Sequence, residues 1–95
     1  MYTMNTITHT ACYTAFLPHD RRDDLLTEVK VQSGENANNL EYRLIEGKEA
    51  INFTITLSNS DADDVSVEEE FDTIGRDIAR FLDCEVDLDD ILIDD

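Results

Sequence analysis

Apolar and polar residues alternate in four stretches of the first sixty residues, and each stretch predicts a β-strand. The strands are predicted over Thr6–Leu17, Leu25–Gln32, Leu40–Leu44 and Ile51–Ser58. Pro18 ends the first of them, because proline has no amide proton to donate to a sheet. This alternation places apolar side chains on one face and polar side chains on the other, as in an antiparallel sheet with one buried face.

Turn-forming residues separate these stretches. Ser33–Asn39 is rich in Ser, Gly and Asn, which favour turns. Glu46, Gly47, Lys48 and Glu49 form a short loop between the last two strands, in which the glycine is available for a positive φ, so these strands are predicted to form a hairpin. The charged residues after Pro18 are interpreted as a turn, and a short helix that begins at Asp20 is an alternative that the pattern leaves open.

The clearest periodicity lies in the last third of the chain and predicts a helix over Ser66–Asp83. Ser66 and Glu69 have the spacing of a capping box at its start. Gly75 is inside the helix, where glycine costs about 1 kcal/mol relative to alanine, and it is interpreted as a point of close packing on the sheet. The apolar stripe consists of Val67, Phe71, Ile74, Ile78, Phe81 and Leu82.

These elements predict an α+β fold of the order β-β-β-β-α, in which an antiparallel sheet of about four strands carries one C-terminal helix on one face. The length of 95 residues suits a single domain over residues 1–95. In residues 84–95 acidic and apolar side chains are interleaved without a clear period. A short edge strand, a helical turn and a flexible acidic tail all remain open for that segment.

Acidic residues dominate the composition and limit the possible partners. The chain has 23 acidic and 7 basic residues, and −13 of its net charge of −16 lies in residues 61–95. This charge excludes direct binding of nucleic acid, whose phosphates need cations, and it disfavours anionic membrane surfaces. The sequence shows no membrane-spanning segment and no secretory signal. The expected partner is a basic protein surface, and the oligomeric state is left open.

The residues that most often carry catalysis do not form a recognisable catalytic motif. His9 and Cys12 are three positions apart on a predicted strand, so their side chains point to opposite faces. Cys12 and Cys84 have neither a disulfide framework nor a metal-binding spacing, and they are interpreted as reduced thiols in a cytoplasm. We therefore predict a protein that is not an enzyme and that needs no cofactor.

A weak candidate for a metal site lies before the helix. Asn59, Asp61, Asp63 and Glu70 occupy positions 1, 3, 5 and 12 of a calcium-loop spacing. Position 6 is Asp64 instead of the glycine that such loops require, and the segment before it is predicted to be a strand. A solvated acidic loop is the simpler interpretation.

The acidic side chains of the helix and of the segment after it predict an anionic binding surface. Carboxylates three or four residues apart on a helix are about 5–6 Å apart, close enough to act on one cationic surface. The apolar residues Ile91 and Leu92 are candidates for an anchor after docking. The candidate partner-binding residues are Glu68, Glu69, Asp72, Asp77, Asp83, Glu85, Asp87, Asp89 and Asp90.

The segments DADDVSVEEEFD and DCEVDLDDILIDD, together with the small size, resemble the acidic inhibitors encoded by phages and mobile elements. These are the anti-CRISPR and anti-restriction proteins that mimic nucleic acid. The resemblance covers about a third of the chain and is one of composition. It implies a non-enzymatic inhibitor that occupies the nucleic-acid-binding surface of a CRISPR effector or a restriction nuclease, in the cytoplasm of the host cell if a phage encodes it.

Two other functions fit the same charge pattern. An immunity protein or antitoxin that covers a basic nuclease toxin would use the same physics. A calcium-responsive or halophile-adapted domain without a protein target would also be rich in Asp and poor in Lys. Halophilic adaptation predicts evenly spread charge, however, and here the acidic residues are concentrated in the C-terminal third.

Overall fold

A computed structural model of the protein describes the main chain of residues 7–59 and 64–94, and the side chains of residues 8–58 and 66–93. The elements follow one another as β-α-β-β-α-β. The strands are β1 (Ile7–Phe16), β2 (Asn38–Ile45), β3 (Lys48–Asn59) and β4 (Glu85–Asp94). The helices are α1 (Arg22–Ser33), preceded by a 3-10 turn over His19–Arg21, and α2 (Asp64–Leu82).

The four strands form one antiparallel sheet in the order β2-β3-β1-β4. Each helix connects two strands that are not neighbours in the sheet, which is the connectivity of the ferredoxin-like split β-α-β arrangement. The protein is therefore α+β with a four-stranded antiparallel sheet, as predicted. The predicted order β-β-β-β-α is wrong, because two helices are interleaved with the strands and a strand follows α2.

The segment Leu25–Gln32, predicted to be a strand, lies within α1. Its alternating apolar residues suggested a period of two, but Leu25 and Val29 are one helical turn apart and are the two residues of α1 that are buried. Val31, which the strand pattern required on the buried face, is 67% exposed. Gly34 ends the helix with a φ of 77°, and its amide donates to the carbonyl of Lys30.

The predicted hairpin is present as β2 and β3. A two-residue turn joins the strands, with Ile45 opposite Lys48, and the turn residues Glu46 and Gly47 have φ values of 52° and 80°. Positive φ at both central residues gives the twist that two-residue hairpins need.

Both helices cover the same face of the sheet, and the core lies between the two layers. The ring of Tyr13 stacks on that of Phe53 with 5.2 Å between their centroids. The helix stripe predicted from the sequence is buried except for Phe81, which is 66% exposed. The other residues of the hydrophobic core in the sheet and in α2 are Ala11, Ala15, Ile51, Ile55, Val67, Phe71, Ile74, Ile78 and Leu82.

Residues after α2 form β4, an edge strand paired with β1 along nearly its whole length. Cys12 lies opposite Asp90 and Tyr13 lies opposite Leu88, so Asp89 is an extra residue that forms a β-bulge. Of the structures left open for residues 84–95, the edge strand is the one observed over Glu85–Asp94.

Candidate acidic interaction surface

The nine predicted partner-binding residues fall into three groups in the structure. Glu68, Glu69 and Asp72 lie on α2, on the flank next to β4. Glu85, Asp87, Asp89 and Asp90 lie on β4. Asp77 and Asp83 lie apart from both groups. The structure therefore brings two of the three groups to one edge of the molecule, where α2 and β4 meet.

Burial of the apolar stripe of α2 fixes the rotation of the helix about its axis, and so determines which flank faces β4. A Cβ added at Gly75 would lie 4.0 Å from Cγ1 of Val86, which shows that this side of the helix packs towards β4. Glu68 and Asp72 are one helical turn apart on the same flank. Asp72 forms an ion pair of 2.8 Å with Arg76, and within the part of the chain that the structure describes it is the only one of the nine to have such a partner.

The bulge in β4 determines where Asp89 points. Asp89 Oδ2 accepts a hydrogen bond of 2.5 Å from Thr14 Oγ1, so its carboxylate lies over the sheet face away from the helices. Thr14 Oγ1 in turn accepts a hydrogen bond of 2.6 Å from Asn52 Nδ2. This chain of two hydrogen bonds holds the Asp89 carboxylate in one orientation, which lowers the entropy that a partner must remove on binding.

Between α2 and β4 lies a shallow groove of ≈ 400 Å³. Leu88 and Ile91 supply its apolar part, and the acidic residues Glu68, Asp89 and Asp90 also line it, although the Asp89 carboxylate itself points to the other face of the sheet. A second depression, lined by Glu68, Glu69, Asp72 and Leu88, continues it along the helix. A groove of this composition suits long cationic side chains, because their methylene stems pack on apolar groups while the charged ends reach carboxylates.

The remaining predicted residues do not contribute to this groove. Asp77 is five positions after Asp72, about 140° around the helix axis, and so lies on a different flank. Asp83 follows the C-terminus of α2 with a φ of 52°. Asp87 and Glu85 lie opposite Thr14 and Phe16, towards the start of β4 and beyond the residues that line the groove. Of the two candidate anchors, Ile91 lines the groove, whereas Leu92 is 54% exposed and is not among its lining residues.

The weak calcium candidate falls largely outside the described residues. Asp61 and Asp63 and the side chain of Asn59 are not described, and Glu70 is exposed on α2. Among the side chains that the structure does describe, no group of three or more His, Cys, Asp or Glu residues is arranged to hold a metal ion.

His9 and Cys12 lie on opposite faces of β1. His9 is 1% exposed, on the face that the helices cover, and it lies at one end of the groove. Burial and the nearby carboxylates of Asp90 and Asp89 raise the pKa of the Cys12 thiol. Burial also raises the pKa of the Cys84 thiol, against the opposing effect of Arg21. Both cysteines are free and are poor nucleophiles near neutral pH.

Sequence reasoning missed the apolar lining of the groove and the support of Asp89 by Thr14 and Asn52. One signal for the lining was available. Val86 and Leu88 share one parity while Ile91 and Ile93 share the other, and such a switch within a strand indicates a bulge. The hydrogen bonds between Asn52, Thr14 and Asp89 join residues far apart in sequence and have no local signature.

Neither helix, in the ranges described here, is long and apolar enough to cross a membrane. No protein-family model matches the chain, and no curated protein matches it. Among solved structures, the chain is similar to a de novo designed protein, Foldit4, with 18% sequence identity and a TM-score of 0.46. That similarity covers 96% of this chain and 98% of the designed one, and it contributes nothing to the assignment of a function.

Proposed function

We propose that this protein is a non-enzymatic inhibitor that occupies a basic, nucleic-acid-binding surface of a partner protein, such as a CRISPR effector or a restriction nuclease. The observation that carries the proposal is the groove between α2 and β4. There Glu68, Glu69 and Asp90, which have no ion-pair partner among the described residues, line the depression together with the apolar residues Leu88 and Ile91.

Unpaired carboxylates around an apolar depression are suited to the lysines and arginines of a phosphate-binding site. Duplex DNA presents one negative charge per about 1.7 Å of its axis to such a site. A row of acidic side chains can bind the same lysines and arginines and so compete with DNA for them. The net charge of −16 also accelerates encounter with a basic partner and repels nucleic acid itself. Association should therefore be fast and should weaken as salt is added.

The test compares two triple variants with the same net charge. The groove variant carries Glu68→Lys, Glu69→Lys and Asp90→Lys. The control variant carries Asp20→Lys, Glu35→Lys and Glu46→Lys, three exposed acids on the 3-10 turn, after α1 and in the hairpin turn. Each variant changes the net charge from −16 to −10, so a difference between them reports the position of the charge.

Each protein is immobilised and exposed to nuclease-treated host lysate at low and at high salt. We expect the wild type and the control variant to retain the same nucleic-acid-binding protein at low salt and to release it at high salt, and the groove variant to retain none. The wild type should then displace labelled DNA from the purified partner. Equal retention by both variants would show that bulk charge, and not the groove, drives binding, and would overturn the proposal.

The two alternatives make different predictions. An immunity protein would protect against a nuclease toxin encoded by a neighbouring gene, which a co-expression assay of cell survival detects. A calcium-responsive or halophile-adapted domain would melt at a higher temperature with calcium or in molar salt. A melting temperature that responds to neither would remove that alternative.

A further inference from the structure

The two edges of the sheet differ in how they are protected from pairing with another strand. β4 is protected by its bulge and by the four acidic residues Glu85, Asp87, Asp89 and Asp90. β2, at the opposite edge, has exposed apolar side chains: Tyr42 is 46% exposed and Leu44 is 72% exposed. An exposed apolar edge strand is a surface for pairing with another chain.

The hairpin turn determines which main-chain groups of β2 face outward. In a two-residue hairpin the flanking pair, here Ile45 and Lys48, exchanges both of its main-chain hydrogen bonds. The alternation of an antiparallel ladder then makes Arg43 opposite Ala50 the next such pair. The amides and carbonyls of Tyr42 and Leu44 consequently point away from β3, towards the open edge.

We propose that β2 pairs antiparallel with β2 of a second copy of this chain, with Tyr42 on the twofold axis. This register places the outward amide and carbonyl of Tyr42 opposite the same groups of Tyr42 in the second copy. It places Leu40 opposite Leu44, so that apolar side chains meet on the face that the helices cover. It also places Glu41 opposite Arg43 of the second copy, twice by symmetry.

Charge complementarity selects this register. Within one chain, Arg43 Nη2 lies 3.5 Å from Glu41 Oε1. The side chain of Glu41 is 63% exposed and that of Arg43 is 55% exposed, so both can also reach a second copy. Opposite charges directly across a strand pair are favourable, whereas a shift by two residues brings like charges together. A shift by one residue moves the apolar side chains to the wrong face.

The acidic surface does not prevent this pairing. Residues 38–59, which hold β2 and β3, have three acidic and two basic residues, for a net charge of −1. β4 is three strand spacings away from β2, about 14 Å. That separation exceeds the Debye length of about 8 Å at physiological salt, so repulsion between the acidic surfaces of the two copies is largely screened. The paired segment has five residues in each copy, Leu40–Leu44, and a contact of this size is reversible.

Sedimentation velocity over the micromolar to millimolar range, at about 0.15 M salt, tests the proposal with a charge swap. We expect the wild type to shift reversibly from monomer to dimer. Arg43→Glu places like charges opposite each other at both symmetric positions and should raise the dimer dissociation constant about tenfold or more. The double variant Glu41→Arg/Arg43→Glu restores both opposite-charge pairs and should restore the wild-type constant at unchanged net charge.

Leu44→Lys changes the most exposed apolar residue of β2 and should also weaken the dimer, by a route that does not depend on the charge pairs. Far-ultraviolet circular dichroism checks that each variant is folded. A wild type that stays monomeric throughout would overturn the proposal. So would a dimer that Arg43→Glu leaves unchanged, which would place the contact elsewhere. A dimer that Arg43→Glu weakens and the double swap fails to restore would rule out the register centred on Tyr42.

Discussion

The hydroxyl of Tyr13 donates a hydrogen bond of 2.6 Å to the main-chain carbonyl oxygen of Phe71. This bond joins the central strand β1 to α2, inside the core, and the ring that carries it is fully buried and stacked on Phe53. The acidic flank of α2 is therefore held in position over β4 by a contact from the strand that pairs with β4.

Replacing Tyr13 by phenylalanine removes this hydrogen bond and keeps the ring. We expect Tyr13→Phe to lower the free energy of unfolding by about 1 kcal/mol, the net value of a typical intramolecular hydrogen bond. The cost stays small because the Phe71 carbonyl is inside α2 and keeps its helical partner. Urea denaturation of the two proteins measures the difference, and an unchanged midpoint would show that the bond adds no stability.

The same hydroxyl predicts a loss of stability at high pH. Burial, and then the nearby carboxylates of Asp72 and Glu70, raise the pKa of Tyr13 far above its ordinary value. The contribution of the protonated phenol is complete below the unfolded pKa of about 10 and is lost as the pH rises towards the higher folded pKa. Above pH of about 10 the wild type should lose stability more steeply than Tyr13→Phe, and equal slopes in denaturant titrations would contradict this.

Gly75 is the second point at which Tyr13 meets α2. A Cβ at this position would lie 3.0 Å from Cε1 of Tyr13, whose ring cannot move away because it is buried, hydrogen-bonded and stacked. Helix propensity favours Gly75→Ala by about 1 kcal/mol, but overpacking costs about 1–3 kcal/mol. We expect a net loss of stability by thermal denaturation. Thr73→Ala, at an exposed position of the same helix, is the control and should be neutral or stabilising.

Asp83 occupies a position that favours glycine. It follows α2 with a φ of 52°, and the amide of Cys84 donates to the carbonyl of Ala79 across it, as in a Schellman motif. We expect Asp83→Gly to raise the free energy of unfolding by about 1 kcal/mol, because glycine adopts this φ without steric cost.

Asp83→Asn separates the two effects at this position. It removes a negative charge from the C-terminal end of the helix dipole and leaves the Cβ in place, so its gain should be smaller than that of glycine. If Asp83→Asn raises the free energy of unfolding as much as Asp83→Gly does, then the negative charge, and not the backbone conformation, limits stability at this position.

The carboxylates beside Cys12 should slow its reaction with alkylating agents. Burial, and then the carboxylates of Asp90 and Asp89, raise the pKa of Cys12, so little thiolate forms near pH 8. The double variant Asp89→Asn/Asp90→Asn should react faster with iodoacetamide, since removing the charges lowers the pKa. The measurement is made with Cys84→Ser present in both proteins, so that one thiol is followed. A rate that does not change would assign the slow reaction to burial alone.

Local patterns in the sequence determined β1, the β2–β3 hairpin and α2. Each has a signal that residues close together in the sequence provide: an alternation that Pro18 ends, a glycine in the loop between two alternating stretches, and the apolar stripe from Val67 to Leu82. The same signals failed for α1, because a helix with only Leu25 and Val29 buried has too few apolar residues to show a helical period.

Only the tertiary structure decided where the acidic residues lie relative to one another. Sequence placed Glu68 and Asp90 in two separate elements, and pairing of β4 with β1 brings both to one groove. The position of Asp77 on another flank of α2 needs no tertiary structure, because the helical period alone sets it. Strand order and the bulge at Asp89 depend on contacts between residues that are distant in the chain, and no local pattern encodes such contacts.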